Sequence, residues 1–313
     1  MISTSLAAFT AHAQDPAYPT RPVTVISDAA PGAGPDIVIR TIGARLTKLW
    51  GQQVVVINHP GANGSLAARA AADAANDGYA LYAPALSAFI ALPTVAPNLP
   101  VKLPHDFLPV GFAAEQPMFV AVSPTLGVTS LPQLIALARR EPGKISIAST
   151  GIGHITQLTG ILLEERASIR LLSVPYTHGP ASAIGDVASG RVSLIIENYA
   201  GIIGAVRAKQ VKLIAVASAE RLPEFPDLPT MAETLPGFTA TGWAMFAAPV
   251  GTPAPIITKV SSDLTKVESD PDLREKFAAL GVYTRVMTPA QVLAFVVEQQ
   301  RTFLPLLQKI SAK

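Results

Sequence analysis

The chain has 313 residues, 49% apolar and 15% charged, with a formal net charge of +2, a pI near 8.8 and a mean hydropathy of +0.37. That length supports two domains, or one large one, with a substantial core. No Lys/Arg run exceeds the Arg139-Arg140 pair and cysteine is absent, which excludes a nucleic-acid face, disulfides, thiolate metal sites and a Cys nucleophile.

Residues 1–13, MISTSLAAFTAHA, end in an A-x-A pattern, and Gln14 to Pro22 are polar and proline-rich. We read 1–13 as the end of a truncated export signal, the alternative being a disordered N-terminus, and place 1–17 outside the fold on either reading. The stretch Ile26 to Trp50 then organises the first half. A short apolar strand runs into Pro31-Gly32-Ala33-Gly34, and a helix follows, entered by Pro35 with Asp36 as N-cap or first-turn acid. Ile39, Ile42, Leu46 and Leu49 recur at steps of three and four, one buried face. The turn would bring free N–H groups to the positive end of the helix, a site suited to an anion. Tight strand-to-helix packing is the other use of such a turn.

A β-branched strand covers Gln53 to Asn58, and His59 to Gly64 is a second glycine turn. A helix from Ser65 to Ala75 and a strand from Tyr79 to Ala83 complete a βαβ pattern with a parallel sheet. Proline-spaced loop is expected up to Asp106, then short strands near Leu108–Phe112 and Phe119–Val122. Ser130-Leu131-Pro132-Gln133 reads as a capping box opening a helix that ends at Arg139-Arg140. A strand over Lys144–Ser149 meets Thr150-Gly151-Ile152-Gly153-His154 and then a helix through Ile155, Leu158 and Leu162. This repeats the opening architecture, so two helix termini could face each other across a cleft. Strands near Leu171–Val174, Val192–Ile196 and Val211–Ala217 continue the unit, with a helix around Ala181–Ala188.

Pro223 to Pro236 is a polar connection, and Gly242 to Ala248 a return strand. Pro253 begins a helix, and Thr288-Pro289-Ala290-Gln291 caps the last one. Gly78–Val101 and Thr234–Thr258 carry no charge over more than a membrane span. Each holds four prolines, which would leave carbonyls unpaired in lipid, so neither reads as transmembrane.

The first turn is neither a phosphate loop, lacking Lys-Ser/Thr, nor G-x-G-x-x-G, having Ile37 at the third glycine position. The five histidines lack metal-ligand spacing. Ser149-Thr150 has no G-x-S-x-G context; its hydroxyls serve an anion or an N-cap. Glu164-Glu165 read as solvated.

The ordered segments resemble the periplasmic solute-binding proteins of tripartite tricarboxylate transporters, the Bug family. They are Tyr18 to Pro22, Pro31-Gly32 with Asp36, Asn58 to Gly64, Asp77-Gly78-Tyr79, Gly151 to Gly153 and Val174-Pro175-Tyr176. Arg221, Pro226 to Thr230 with Glu233, Leu235-Pro236-Gly237 and Trp243 continue the series. The resemblance implies a type II periplasmic binding protein: two α/β lobes with mostly parallel sheets, joined by two crossing strands, closing like a flytrap. It implies that the Pro31–Asp36 and Ser149–His154 turns hold a carboxylate through main-chain amides and hydroxyls. The chain departs from the family at Ala29, where an aromatic is common, at Ala33, usually glycine, and at Pro35, often Thr. His154 and Gln157 stand for a usual Ser and His.

The expected division is 18–122 plus 238–313 for the first lobe and 123–237 for the second. The expected ligand residues are Asp28, Ala29, Pro31, Gly32, Ala33, Gly34, Asp36 and Ser87 in the first lobe. In the second they are Ser149, Thr150, Gly151, Gly153, His154, Tyr176 and Glu197. Asp28 and Glu197 would hold a ligand amine, or else bond local backbone. His154, at a helix N-terminus, would be a neutral donor. No catalytic residue, metal or cofactor is expected. The expected partners are a di- or tricarboxylate, amino acid or aromatic acid, and permease subunits or a sensor kinase, met by a periplasmic monomer. The rival readings are an α/β enzyme using Asp28 or His154 as acid/base, and a ligand-free adaptor.

Overall fold

The computed structural model describes residues 18–96, 98–102, 105–149, 153–176 and 180–311. In the first half, β1 (Val23–Ser27) lies parallel between β2 (Val54–Asn58) and β3 (Ala80–Ala83). Helix α1 (Gly34–Trp50) buries Ile39, Ile42 and Leu46 against one face of that sheet. Leu49, expected to complete the stripe, is exposed. The spacing of four continues instead to Trp50, whose indole N–H reaches Asp263 Oδ2 at 2.8 Å.

Helix α2 (Ser65–Ala72) covers the other face together with α3 (Leu86–Val95). The expected loop after Ala83 is therefore a helix in part. Its residues are apolar apart from Ser87 and Thr94, and those described are buried apart from Ser87, so no polar stripe marks it as helical in sequence.

The two strands expected between Leu108 and Val122 are one, β4 (Phe107–Val122). Its first part pairs antiparallel with β9 (Thr241–Pro249), with register shifts between Pro109 and Gly111 and between Phe112 and Ala114. A strand bonded on one side with bulges tolerates proline, which suits Pro109 and Pro117. The last residues of β4, Met118–Val122, pair with β7 (Leu194–Asn198) and, in part, with β8 (Lys212–Val216). β4 and β9 thus carry the chain between the halves.

In the second half β5 (Ser146–Ser149) lies parallel between β6 (Leu172–Pro175) and β7. Helices α4 (Leu131–Arg140) and α5 (Ile155–Ala167) bury one face. Helices α6 (Pro180–Ala188) and α7 (Tyr199–Arg207) bury the other. The chain returns through β9 to α8 (Ala254–Glu268), α9 (Pro271–Ala278) and α10 (Pro289–Ser311). Leu158 of α5 is buried in the same cluster as Trp243 of β9 and Val292 of α10, so the two halves share apolar contact.

The box at Thr288-Gln291 is reciprocal, with N–H bonds in both directions at 2.9 and 3.3 Å. At Ser130 only half forms: the Ser hydroxyl takes the Gln133 amide, while Gln133 Oε1 accepts from Thr129, one residue further back.

Candidate functional site

The parallel strands of each half end on the side where ligands bind in open α/β sheets, and β1 and β5 lead there into turns of one construction. Gly32 takes a φ of 79° and Gly153 one of 74°. The Gly32 N–H donates to Asp36 Oδ2 at 2.8 Å, and the Gly153 N–H donates to Gln157 Oε1 at 2.8 Å. Asp36 and Gln157 are each the third residue of their helix, and the N-cap residues, Ala33 and His154, make no side-chain cap bond. A helix residue thus reaches back and fixes the glycine ahead of the cap.

That construction corrects the expectation of free N–H groups throughout the first turn. Gly32 gives its N–H to Asp36, and Ala33 gives its own to the Ala30 carbonyl at 3.0 Å. Pro35 has none. The Gly34 and Asp36 amides have no acceptor among the described residues. Asp36 lies in the first turn rather than at the N-cap, and is 2% exposed. It also accepts from Arg40 Nε at 2.9 Å and Asn58 Nδ2 at 2.8 Å. Burial pushes its carboxyl up, but the Gly32 amide, Asn58 and Arg40 outweigh it, so it lies below the usual range. Asn58 also donates to the Ala29 carbonyl at 2.9 Å, tying the turn to the end of β2. Pro31 and Gly32 are exposed, whereas Gly34 is buried.

Asp28, one residue past β1, accepts from the Ala85 N–H at 3.0 and 3.2 Å, at the N-cap of α3. Desolvation raises its carboxyl to about 7 against the main-chain bonds. Ser87 is in the first turn of α3, half-buried. In the second half Ser149 ends β5, and its carbonyl accepts the Tyr176 N–H at 2.7 Å. The Tyr176 hydroxyl is engaged with Asp186 Oδ2 at 2.5 Å, and burial with that bond lifts it to about 12. Burial, more than the helix end, holds the His154 imidazole below its ordinary value. Thr150 and Gly151 lie outside the described residues.

Glu197 is on β7, 4% exposed, and its Oε1 accepts from the Asn198 N–H at 2.8 Å and from the Asn198 side-chain amide. Desolvation raises it to about 7, against the Asn198 bond. Asn198 itself, absent from the expected set, caps α7 by accepting the Gly201 N–H at 2.9 Å and abuts Gly34 across the cleft. An Asn at a strand end is an N-cap signal, but Gly201 and Gly204 weaken the helix behind it.

Gly34 and Asn198 therefore meet, whereas no hydrogen bond among the described residues joins the first glycine turn to the second. A hollow lined by Glu115, Thr241, Phe295 and Gln299 sits instead at the crossing strands and α10, and none of the expected ligand residues line it. Both turns stand at strand ends in the order a clamp requires, so they, not this hollow, are the candidate site. Among the described residues no cluster of three or more His, Asp or Glu could hold a metal, and no helix is long and apolar enough to cross a membrane.

Residues 38–312 match the family described as Tripartite tricarboxylate transporter family receptor. Protein BugT of Bordetella pertussis is 31% identical over 298 residues, 95% of this chain and 91% of BugT. Rpa4515 of R. palustris with adipate superposes with a TM-score of 0.87 at 28% identity, covering 93% of this chain and 97% of that one. MatC from Rhodopseudomonas palustris with bound malate gives 0.82 at 28% identity, covering 93% and 100%.

Proposed function

The chain belongs to the tripartite tricarboxylate transporter receptor family, and on that premise we propose that it captures one small organic carboxylate between its lobes. Its fold is the two-lobed α/β fold of periplasmic binding proteins, and its relatives are substrate-binding receptors rather than enzymes. The observation that carries the proposal is the pair of matched turns. Gly32 with Asp36 and Gly153 with Gln157 fix a helix N-terminus at a strand end in each lobe. Amides and a helix dipole hold an anion without a basic side chain.

We take 18–122 with 238–313 as the first lobe and 123–237 as the second. The first turn supplies Pro31 to Asp36, with the Gly34 and Asp36 amides as its donors, and the second supplies Ser149 to His154. His154, kept neutral by burial, acts as an uncharged donor. Ligand contacts made with both lobes at once exist only in the closed state and therefore drive closure. The loaded protein is a periplasmic monomer that hands its ligand to permease subunits or to a sensor kinase.

Rpa4515 with adipate and MatC with malate support a ligand of this size. A thermal-shift panel of mono-, di- and tricarboxylates, followed by calorimetry on the hits, tests the reading. A saturable shift with the ligand recovered unchanged is expected. No shift across the panel would overturn it.

A further inference from the structure

Gln116 stands on β4 directly opposite Gly242 of β9, where the two strands cross between the lobes. Glu115 before it, and Thr241 opposite Pro117, line the hollow against α10. Side chains alternate across a strand, so Gln116 rises from the other face. Met118, two residues on, shares that face, and so does Asn198, paired with Met118. A Cβ on Gly242 would stand 3.2 Å from Met118 Cε and 3.5 Å from Ile155 Cγ2, so the first residue of α5 also lies over this face. Gly34 of the first turn abuts Asn198. Gln116 therefore rises between the residue that the first turn packs against and the helix that the second turn opens.

Gln116 is 2% exposed, and its Nε2 has no hydrogen-bond partner among the described residues. Glutamine is ordinarily an exposed residue, and buried amide donors are ordinarily paired. Its surroundings on this face offer little: Met118 and Ile155 are apolar, and Gly242 adds no side chain. Asn198 is engaged at both ends, giving Nδ2 to Glu197 and taking the Gly201 N–H on Oδ1. Resting on the carboxylate-capture reading above, we propose that Gln116 is a ligand-binding residue. Its side-chain amide donates, from the floor of the cleft, to a carboxylate oxygen of the ligand held between the two turns. A bond to a charged acceptor is the stronger kind. Strand register holds this donor, so its place depends on neither turn. Closure takes the amide out of water, and only a ligand oxygen returns the bond. The contact thus favours the closed state with ligand over the closed state without it.

The test uses full-length protein, calorimetry at pH 7.5 with succinate, glutarate, adipate and malate as probes, and thermal melts without them. Gln116→Met keeps the volume and removes the amide. It should weaken every probe that wild type binds by about tenfold or more. The same variant without a probe should melt at or above the wild-type temperature, because an unpaired buried donor is gone. Gln116→Glu replaces the donor with an acceptor of like charge and should weaken the same probes further. A lower melting temperature with affinity unchanged in Gln116→Met would make Gln116 structural, overturning the proposal and leaving carboxylate capture standing. Wild type that binds none of the probes, nor any carboxylate in the wider panel, would overturn both. On the unaltered protein, with glutamine labelled in heavy nitrogen, a buried side-chain amide resonance should move on saturation with a bound probe. Spectra in which no glutamine side-chain amide moves would also overturn the proposal, so a variant that fails to fold does not remove the test.

Discussion

Gly34 at the start of α1 and Asn198 at the cap of α7 leave no room for a methyl group between them. A Cβ at position 34 would stand 2.5 Å from Asn198 Oδ1 and 2.8 Å from its Cγ. Gly34 has no positive φ and begins a helix, where alanine is favoured over glycine. Gly34→Ala should therefore leave the unliganded protein as stable as before and obstruct only the approach of the lobes. Ligand affinity should fall by about tenfold or more, with a larger radius of gyration in solution scattering under saturating ligand. Adding Asn198→Ala should recover part of the affinity while costing about 1 kcal/mol through the lost cap. Unchanged affinity in the single variant would mean that these residues do not meet in the bound state.

Asp36 is the keystone of the first turn, holding Gly32, Arg40 and Asn58 at once. Asp36→Ala removes the acceptor of the Gly32 amide and one acceptor each from the half-buried Asn58 amide and the Arg40 guanidinium, so a loss of about 2–3 kcal/mol is expected, together with loss of binding. Its carboxyl is depressed in the folded state. It therefore contributes stability that is present above the unfolded value, about 4, and disappears as pH falls through the folded one. Acid melts of the wild type should show this loss and those of the variant should lack it.

The elements that sequence could not disclose are the ones that complete the site, and each has a physical reason. Strands and helices with two-faced patterns, such as α1 and α4, announce themselves through periodicity. Helix α3 is apolar nearly all round, with the half-buried Ser87 the exception among its described residues, and so has no stripe to read. Helix α7 begins behind Glu197-Asn198 but carries two glycines, and its helicity comes from packing Tyr199, Ile202 and Ala205 rather than from propensity. Losing α7 meant losing Asn198. Strand β4 was split by its prolines, since only the tertiary arrangement shows that its first part bonds mainly on one side. The two glycine turns were legible, yet their hydrogen bonds were not, because Asp36 and Gln157 reach back four residues to groups a pattern search regards as free.

Glu268 ends α8 at 1% exposure, and its Oε1 has no hydrogen-bond partner among the described residues. Burial raises its carboxyl to about 9, only partly offset by Arg274. A folded value above the unfolded one means stability that is whole below pH of about 4 and falls as pH rises through 9. Asp28 and Glu197, raised to about 7, act in the same direction over the lower part of that window. The melting temperature of unliganded protein should therefore fall from pH 5 to pH 9. Glu268→Gln should flatten the upper part of the curve and be more stable than wild type at pH 8.5 by about 1–3 kcal/mol. Parallel curves for variant and wild type would show that Glu268 does not carry the dependence.

A second glycine packs against the start of α7. Gly281, after α9, has a φ of 65°, and a Cβ there would lie 2.8 Å from the Tyr199 Cβ. Two residues on, the Tyr283 hydroxyl donates to Glu224 Oε2 at 2.7 Å, joining the same segment to the connection that leads out of the second lobe. The start of α7 is thus met by Gly34 at its cap residue Asn198 and by Gly281 at its first residue, Tyr199. The two contacts should respond differently to substitution. Gly281→Ala combines a left-handed backbone with a collision against a main-chain-anchored Cβ, so it should lower the melting temperature even without ligand. Tyr283→Phe removes one exposed charged hydrogen bond, a loss of under about 1 kcal/mol, and should show mainly as faster ligand release in stopped-flow measurements. If Gly281→Ala instead melts like wild type and only weakens binding, then α7 rests on Gly281 in the closed state alone. Both glycines would then make closure contacts, and the helix would move as the part of the second lobe that the first lobe clamps.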